Sequence, residues 1–246
     1  MDFSKEASII WNKRFSPLVN HIHKKHKKLS IEKARIIGFI MGDGSITAND
    51  SPSKGSHHDI RFYPDDINVA EMFIKDFEKL YLKKPAIKDG VNHFIIHVSS
   101  KPAWDDLVKI GKFNSLNWEY PESLSSKKQK IEWIRAIFDC EAYVDLKKRR
   151  IVFQTVSKGG AFSIQNVLKE FDISSKIYTY QRKNPKWNTN YLLFIMGKEN
   201  VYNFAKEIGF NHALKKNKLD TISRRTRVAN GTVSKTVPFG APRFES

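Results

Sequence analysis

The 246-residue chain carries 43 lysines and arginines against 26 acidic residues, a formal net charge of +17, and an excess that large points to a polyanionic partner, nucleic acid first. Hydrophobic content of 40% with 17 Phe, 8 Tyr and 5 Trp excludes a disordered chain, and no stretch approaches the ~20 apolar residues of a membrane span, so no membrane partner is expected. A single cysteine, Cys140, excludes an intrachain disulfide and a cysteine-rich zinc site. It fits intracellular surroundings, cytoplasmic in a prokaryote or organellar in a eukaryote.

Residues 1–29 read as a basic helical extension in which Lys24-Lys25-His26-Lys27-Lys28 follows an amphipathic stretch. A helix over Ile31–Met41 ends on Gly42-Asp43-Gly44, and a polar loop over Asn49–Gly55 follows. Strands are predicted at Ile60–Tyr63, Ala86–Lys88 and Phe94–Ser99, with a helix over Ile67–Leu80 between the first two. The stretch 113–126 reads as a linker whose Ser123-Leu124-Ser125-Ser126 hands over to a helix start. A helix over Lys128–Phe138 opens the second part, followed by strands at Arg150–Thr155, Lys176–Gln181 and Tyr191–Met196 and a helix over Ala161–Phe171. From 221 to 246 no periodic core pattern remains, and a basic flexible tail is expected.

The order repeats. Ile36–Gly44 and Ile134–Ala142 are apolar segments ending in an acid flanked by small residues, and Asp43 and Glu141 stand 98 residues apart. The same offset carries Ile110-Gly111 onto Ile208-Gly209, whereas between these anchors 91 fits better and carries Ile60 and Phe62 onto Ile151 and Phe153. The difference falls in polar, turn-rich stretches, where loops absorb length changes. Two halves follow, 30–112 and 127–220.

Gly38 and Gly42 lie four apart on one helical face, as do Ala136 and Cys140 in the second half. If these small-residue faces pair, the helix ends meet and Asp43 and Glu141 emerge side by side. Two adjacent carboxylates repel unless a cation sits between them. Hard oxygen ligands favour Mg²⁺, which keeps waters and shares substrate phosphates, an arrangement suited to phosphodiester hydrolysis.

The two nine-residue segments resemble the paired motifs of LAGLIDADG homing endonucleases in their monomeric, double-motif form, with further support from Pro121–Lys128 and Gly197–Gly209. The first motif matches well, and the second departs from it in placing Ala142 where glycine is usual. The resemblance implies an α+β fold of two pseudo-symmetric αββαββα halves, each with a four-stranded antiparallel sheet, together forming a saddle on a long asymmetric double-stranded DNA target. It implies that Asp43 and Glu141 bind catalytic Mg²⁺ or Mn²⁺ with the backbone carbonyls of Gly42 and Cys140. It also implies a lysine or glutamine near the end of the second strand of each half. Lys158 and, less directly, Gln154 are the second-half candidates, although Lys158 could equally be a solvated lysine before Gly159-Gly160. The first half offers only Tyr63-Pro64-Asp65-Asp66. A non-cleaving relative, an RNA maturase or a DNA-binding regulator, is the alternative, with intron RNA as a second candidate partner. A self-splicing insertion is not expected, since the chain lacks a cysteine or serine at its start and a His-Asn end.

Strand alternation assigns the DNA-facing side chains. With Ile60 and Phe62 inward, Asp59, Arg61 and Tyr63 face outward; with Phe94, Ile96 and Val98 inward, His93, Ile95 and His97 do. In the second half Arg150, Val152 and Gln154 face outward, and Lys147, Arg149, Tyr180 and Arg182 complete the expected DNA-binding set. Tyr191–Met196 is apolar on both faces, which leaves Leu192, Phe194 and Met196 to meet DNA or the C-terminal tail. The clusters Lys215–Lys218 and Arg224–Arg227 read as solvated or phosphate-contacting.

Overall fold

A computed structural model describes residues 29–51, 55–181 and 186–230. The basic N-terminal extension, with its histidines and lysines, lies outside the described residues, as does Arg182.

Each half begins with a helix whose start is fixed by a serine cap. Ser30 accepts the Lys33 backbone N–H at the start of α1 (Ile31–Asp43), and Ser126 forms a reciprocal capping box with Gln129 at the start of α4 (Lys127–Glu141). Helix α1 is buried nearly all round, from Lys33 to Met41, as a helix must be when both its sides face protein. One side packs on the first sheet, where Phe39 stacks on Phe62 with ring centroids 5.1 Å apart. Phe138 of α4 stacks on Phe153 of the second sheet at the same 5.1 Å. The remaining side of each helix meets the other helix, so α1 and α4 form the seam between the halves.

After α1 come β1 (Gly44–Ser51), β2 (Gly55–Phe62), α2 (Ile67–Tyr81), β3 (Ala86–Asp89), β4 (Phe94–Ser99) and α3 (Lys101–Leu107). After α4 come β5 (Ala142–Asp145), β6 (Arg150–Thr155), α5 (Lys158–Lys169), β7 (Lys176–Tyr180), β8 (Asn190–Ile195), α6 (Lys198–Glu207) and α7 (Ala213–Asn230). The sheets are antiparallel, with orders β1-β2-β4-β3 and β5-β6-β8-β7. The architecture is α+β with two pseudo-symmetric halves.

Three expectations need correction. The polar stretch 49–51 is not loop: it extends β1, which pairs residue for residue with β2 from Gly44↔Phe62 to Ser51↔Gly55. With Ile46 as its one large apolar side chain, β1 has no periodic signal, and the register of β2 holds it in place. The stretch 113–126 is not a free linker. Trp118 and Leu124 are buried, and the Trp118 carbonyl accepts a 2.7 Å hydrogen bond from the Ser157 hydroxyl. Finally, 221–230 is not flexible tail but the continuation of α7, anchored where Leu219 and Ile222, three apart on one helical face, are buried.

Candidate functional site: two carboxylates at the seam

Glycine lets the seam close. A Cβ at Gly38 would lie 2.5 Å from the Trp133 carbonyl oxygen and 2.8 Å from the Ala136 Cβ. At Gly42 it would lie 2.5 Å from the Cys140 Cβ and 2.9 Å from its Sγ. The small-residue faces therefore pair as expected, from mid-helix to the ends where the acids stand. Gly44 is also required by space: an added Cβ would sit 2.6 Å from the Ile40 Cα and 2.9 Å from the Arg61 carbonyl oxygen. Both Gly44 (φ −125°) and Ala142 (φ −109°) have extended backbones open to any residue, so the second half tolerates alanine because its surroundings leave room.

Asp43 and Glu141 are the last residues of α1 and α4. Burial pushes Glu141 up to about 8, and the Asp43 charge adds to that rise. Asp43 is also raised by burial, against the pull of the Lys215 ammonium. Two half-buried carboxylates, one raising the proton affinity of the other, suit a cation between them. Among the described residues no group of three or more His, Cys, Asp or Glu side chains could hold a metal. Asp43 and Glu141 supply two hard oxygen donors, which fit a divalent ion such as Mg²⁺ that takes the rest of its shell from backbone carbonyls, water and substrate oxygens.

A cleft of about 200 Å³ adjoins Glu141, lined also by Gly42, Ser115, Trp118, Gln154 and Asn190. Gln154 lines the cleft and donates to the Asn190 side-chain oxygen at 3.4 Å. Lys158 is the exposed first residue of α5 and lines no part of the cleft. The structure thus brings Gln154 to the cleft beside Glu141 and leaves Lys158 outside. In the first half the Tyr63 N–H donates to the Asp43 carbonyl at 2.9 Å, and Asp65 lies close enough to raise Asp43 further.

On the outer face of the first sheet, Arg61 is exposed and paired with Asp59 at 3.3 Å, while His97 meets Asp59 at 3.0 Å. His93 is exposed, with its ring edge-on to Tyr63. On the second sheet, Lys147 and Arg149 are exposed in the β5–β6 turn and Tyr180 is exposed on β7. Arg150 pairs with Asp145 at 3.1 Å and lies over the Phe194 ring, 4.4 Å from its centroid. Val152, expected to be outward and accessible, is buried. Its register partners on the neighbouring strands are Tyr143 and Phe194.

Sequence reasoning missed the residues that fasten the site from behind. Asp139 accepts the backbone N–H groups of Asn211 at 2.9 Å and His212 at 3.0 Å. Asp66 caps α2 and also accepts the Ala213 N–H at 3.1 Å. Lys215 donates to the carbonyls of Asp139 and, at 3.2 Å, Cys140. One signal was available: Asp139 follows buried Phe138 inside an apolar motif, where an acid must find a partner.

The LAGLIDADG-like domain model matches residues 128–209. The homing endonuclease I-DmoI in complex with DNA and Mn has a similar structure, with a TM-score of 0.57 at 18% identity over 72% of this chain and 95% of that chain. The second half carries a LAGLIDADG-like domain, and the chain shares the fold of that endonuclease. Two relatives from Methanocaldococcus jannaschii match this chain in part of their length. A glutamine–fructose-6-phosphate aminotransferase is 28% identical over 207 residues, 81% of this chain and 18% of the relative. A probable translation initiation factor IF-2 is 31% identical over 170 residues, 65% of this chain and 15% of the relative. The chain thus spans less than a fifth of the length of these curated relatives.

Proposed function

We propose that this protein is a site-specific, metal-dependent double-strand DNA endonuclease of the intron-homing type, acting as a monomer on a long asymmetric target. The observation that carries this reading is the pair of half-buried acids at the adjoining ends of α1 and α4, between two antiparallel sheets. The similarity in fold to an endonuclease solved with DNA and Mn supports it. So does the sharing of the segment by relatives named for unrelated activities, since what they share is then the segment's own activity and not the host's.

Asp43 and Glu141, with the carbonyls of Gly42 and Cys140, would hold Mg²⁺ or Mn²⁺, which supplies Lewis-acid polarisation of the phosphate and an activated water. Gln154, in the cleft beside Glu141, is placed to hydrogen-bond a water or a phosphate oxygen. Arg61, His97 and Asp59 present donors and an acceptor to base edges, while Lys147 and Arg149 suit phosphates. The test is cleavage of the intron-less allele of the host gene, with Mg²⁺ and with EDTA. Cutting is expected only with metal and is expected to disappear in Asp43→Asn and Glu141→Gln while binding persists. Cutting that survives either substitution would sink the mechanism.

One observation favours the second reading, an RNA maturase. The outer face of the second sheet exposes Tyr143, Tyr178 and Tyr180 around half-buried Leu192 and Phe194, a surface on which unpaired bases stack. Tight binding to intron RNA without cleavage of any duplex would select it.

A further inference from the structure

The two sheets carry different chemistry on the faces turned away from the helices. In the first half, strand alternation puts Asp59, Arg61 and His97 there, and they form an ion-paired, hydrogen-bonding surface. In the second half it puts Leu192 and Phe194 there, on β8 between β6 and β7. Both are half-buried, and the exposed rings of Tyr178 and Tyr180 stand beside them on β7. The Tyr178 ring meets Phe194 with centroids 5.3 Å apart at an interplanar angle of 74°. From β6, the Arg150 guanidinium lies over the Phe194 ring at 4.4 Å and is held there by Asp145 at 3.1 Å. A face of Phe194 is therefore covered, and the patch offers low apolar contacts rather than an open ring on which a base could stack.

The surroundings of the patch narrow what it meets. Leu192 is the register partner of Gln154, which lines the cleft beside Glu141, so the apolar surface adjoins the cleft. Lys147, Lys148 and Arg149 are exposed in the β5–β6 turn, and Lys176 is exposed on β7. An apolar strip with cations at its rim suits a polyanion that shows apolar groups between its phosphates. The major groove of DNA shows one such group, the C5-methyl of thymine, among hydrogen-bond donors and acceptors. Apolar side chains pressed on those donors and acceptors leave them unpaired at a cost, whereas a methyl is buried at a gain.

We propose, on the reading that the partner is duplex DNA, that the second half selects its side of the target through thymine methyls. Leu192 and Phe194 are the specificity-determining side chains, flanked by Tyr178, while the first half reads hydrogen-bonding base edges through Arg61 and its neighbours. The target is then thymine-rich on one side only.

The test is selection of duplexes from a randomised library by the full chain in EDTA, followed by uracil interference on the selected site. Thymidine is partly replaced by deoxyuridine, which lacks only the methyl, and bound and free fractions are compared position by position. Loss of one methyl is expected to weaken binding roughly fourfold, the worth of one buried methyl group, at a cluster of positions confined to one side of the site. Leu192→Asn is expected to bring the effect at one or more of these positions below about twofold and to leave base preferences on the other side as they were; Arg61→Ala is expected to do the reverse. Methyl dependence that is absent, spread evenly over both sides, or unchanged in Leu192→Asn overturns the proposal and leaves the DNA reading standing. If Leu192→Asn does not fold, Tyr178→Ser, at an exposed side chain, takes its place with the same two outcomes. No enrichment of any duplex overturns the proposal together with the endonuclease reading, and tight binding of single-stranded RNA in its place assigns the patch to the maturase reading.

Discussion

Gly38→Ala should be among the most informative single-methyl changes in this chain. Its Cβ would meet the Trp133 carbonyl oxygen at 2.5 Å and the Ala136 Cβ at 2.8 Å. Neither neighbour can rotate away, because one is backbone and the other has no further torsion. The helices must therefore part by several tenths of an ångström along the seam that holds the acids. Overpacking of this kind costs about 1–3 kcal/mol, and alanine returns up to about 1 kcal/mol of helix propensity. A net loss of about 1–2 kcal/mol lowers the Tm by roughly 2–8 °C for a chain of this size. Gly159→Ala is the matched control. Its Cβ would clash at 2.5 Å with Oε1 of Glu119, the far end of an exposed, flexible side chain, and should change stability by less than about 0.5 kcal/mol. Thermal melts followed by circular dichroism compare the two. A Gly38→Ala Tm at or above the parent, or a Gly159→Ala loss as large, would refute close packing of α1 on α4.

Two more outcomes follow from buried charge. Because Glu141 is raised from 4.5 to about 8, the folded protein holds a proton there that the unfolded chain releases. In metal-free buffer its contribution to stability is intact below pH 4.5 and falls as pH rises toward about 8. Glu141→Gln removes this slope, so the difference between parent and variant urea midpoints across that window should favour the variant at the alkaline end; a flat difference would count against the buried pair. Asp106 accepts from buried Lys33 at 2.5 Å and from the Tyr81 hydroxyl at 2.9 Å. Asp106→Ala should cost about 3–5 kcal/mol by leaving the ammonium buried and alone. The double change Lys33→Met, Asp106→Leu should recover most of that in denaturant melts, and equal losses for the single and double variants would refute the assignment.

The motif helices were legible because each carries its own instructions. Ser30 and Ser126 start them, apolar side chains fill them, and Gly38, Gly42, Ala136 and Cys140 announce a partner at helical spacing. Asp43 and Glu141 could be picked out because the repeat places them at equivalent ends, a relation written along the chain. The strand alternation of Ile60 and Phe62, and of Ile151 and Phe153, could be read for the same reason: a period of two is a local property. By contrast, β1 has almost no apolar pattern and exists because β2 offers it a ladder. Lys158 and Gln154 are four residues apart, and no local signal says that one caps an exposed helix turn while the other lines the cleft.

The residues around the acids show where that limit lies. The sequence by itself determined that two acids end two mutually compatible helices, because helix starts, small-residue faces and repeat spacing depend on neighbours a few positions away. Only the tertiary structure decided which charges face those acids. Lys215 follows Glu141 by 74 residues and Asp43 by 172, and reaches the carbonyl end of α4 because Asp66 and Asp139, one from each half, grip the turn that precedes it. A lysine's role depends on what it touches, and in the sequence Lys215 was one basic residue in a run. The fold seated it on the carbonyl end of the helix that carries Glu141.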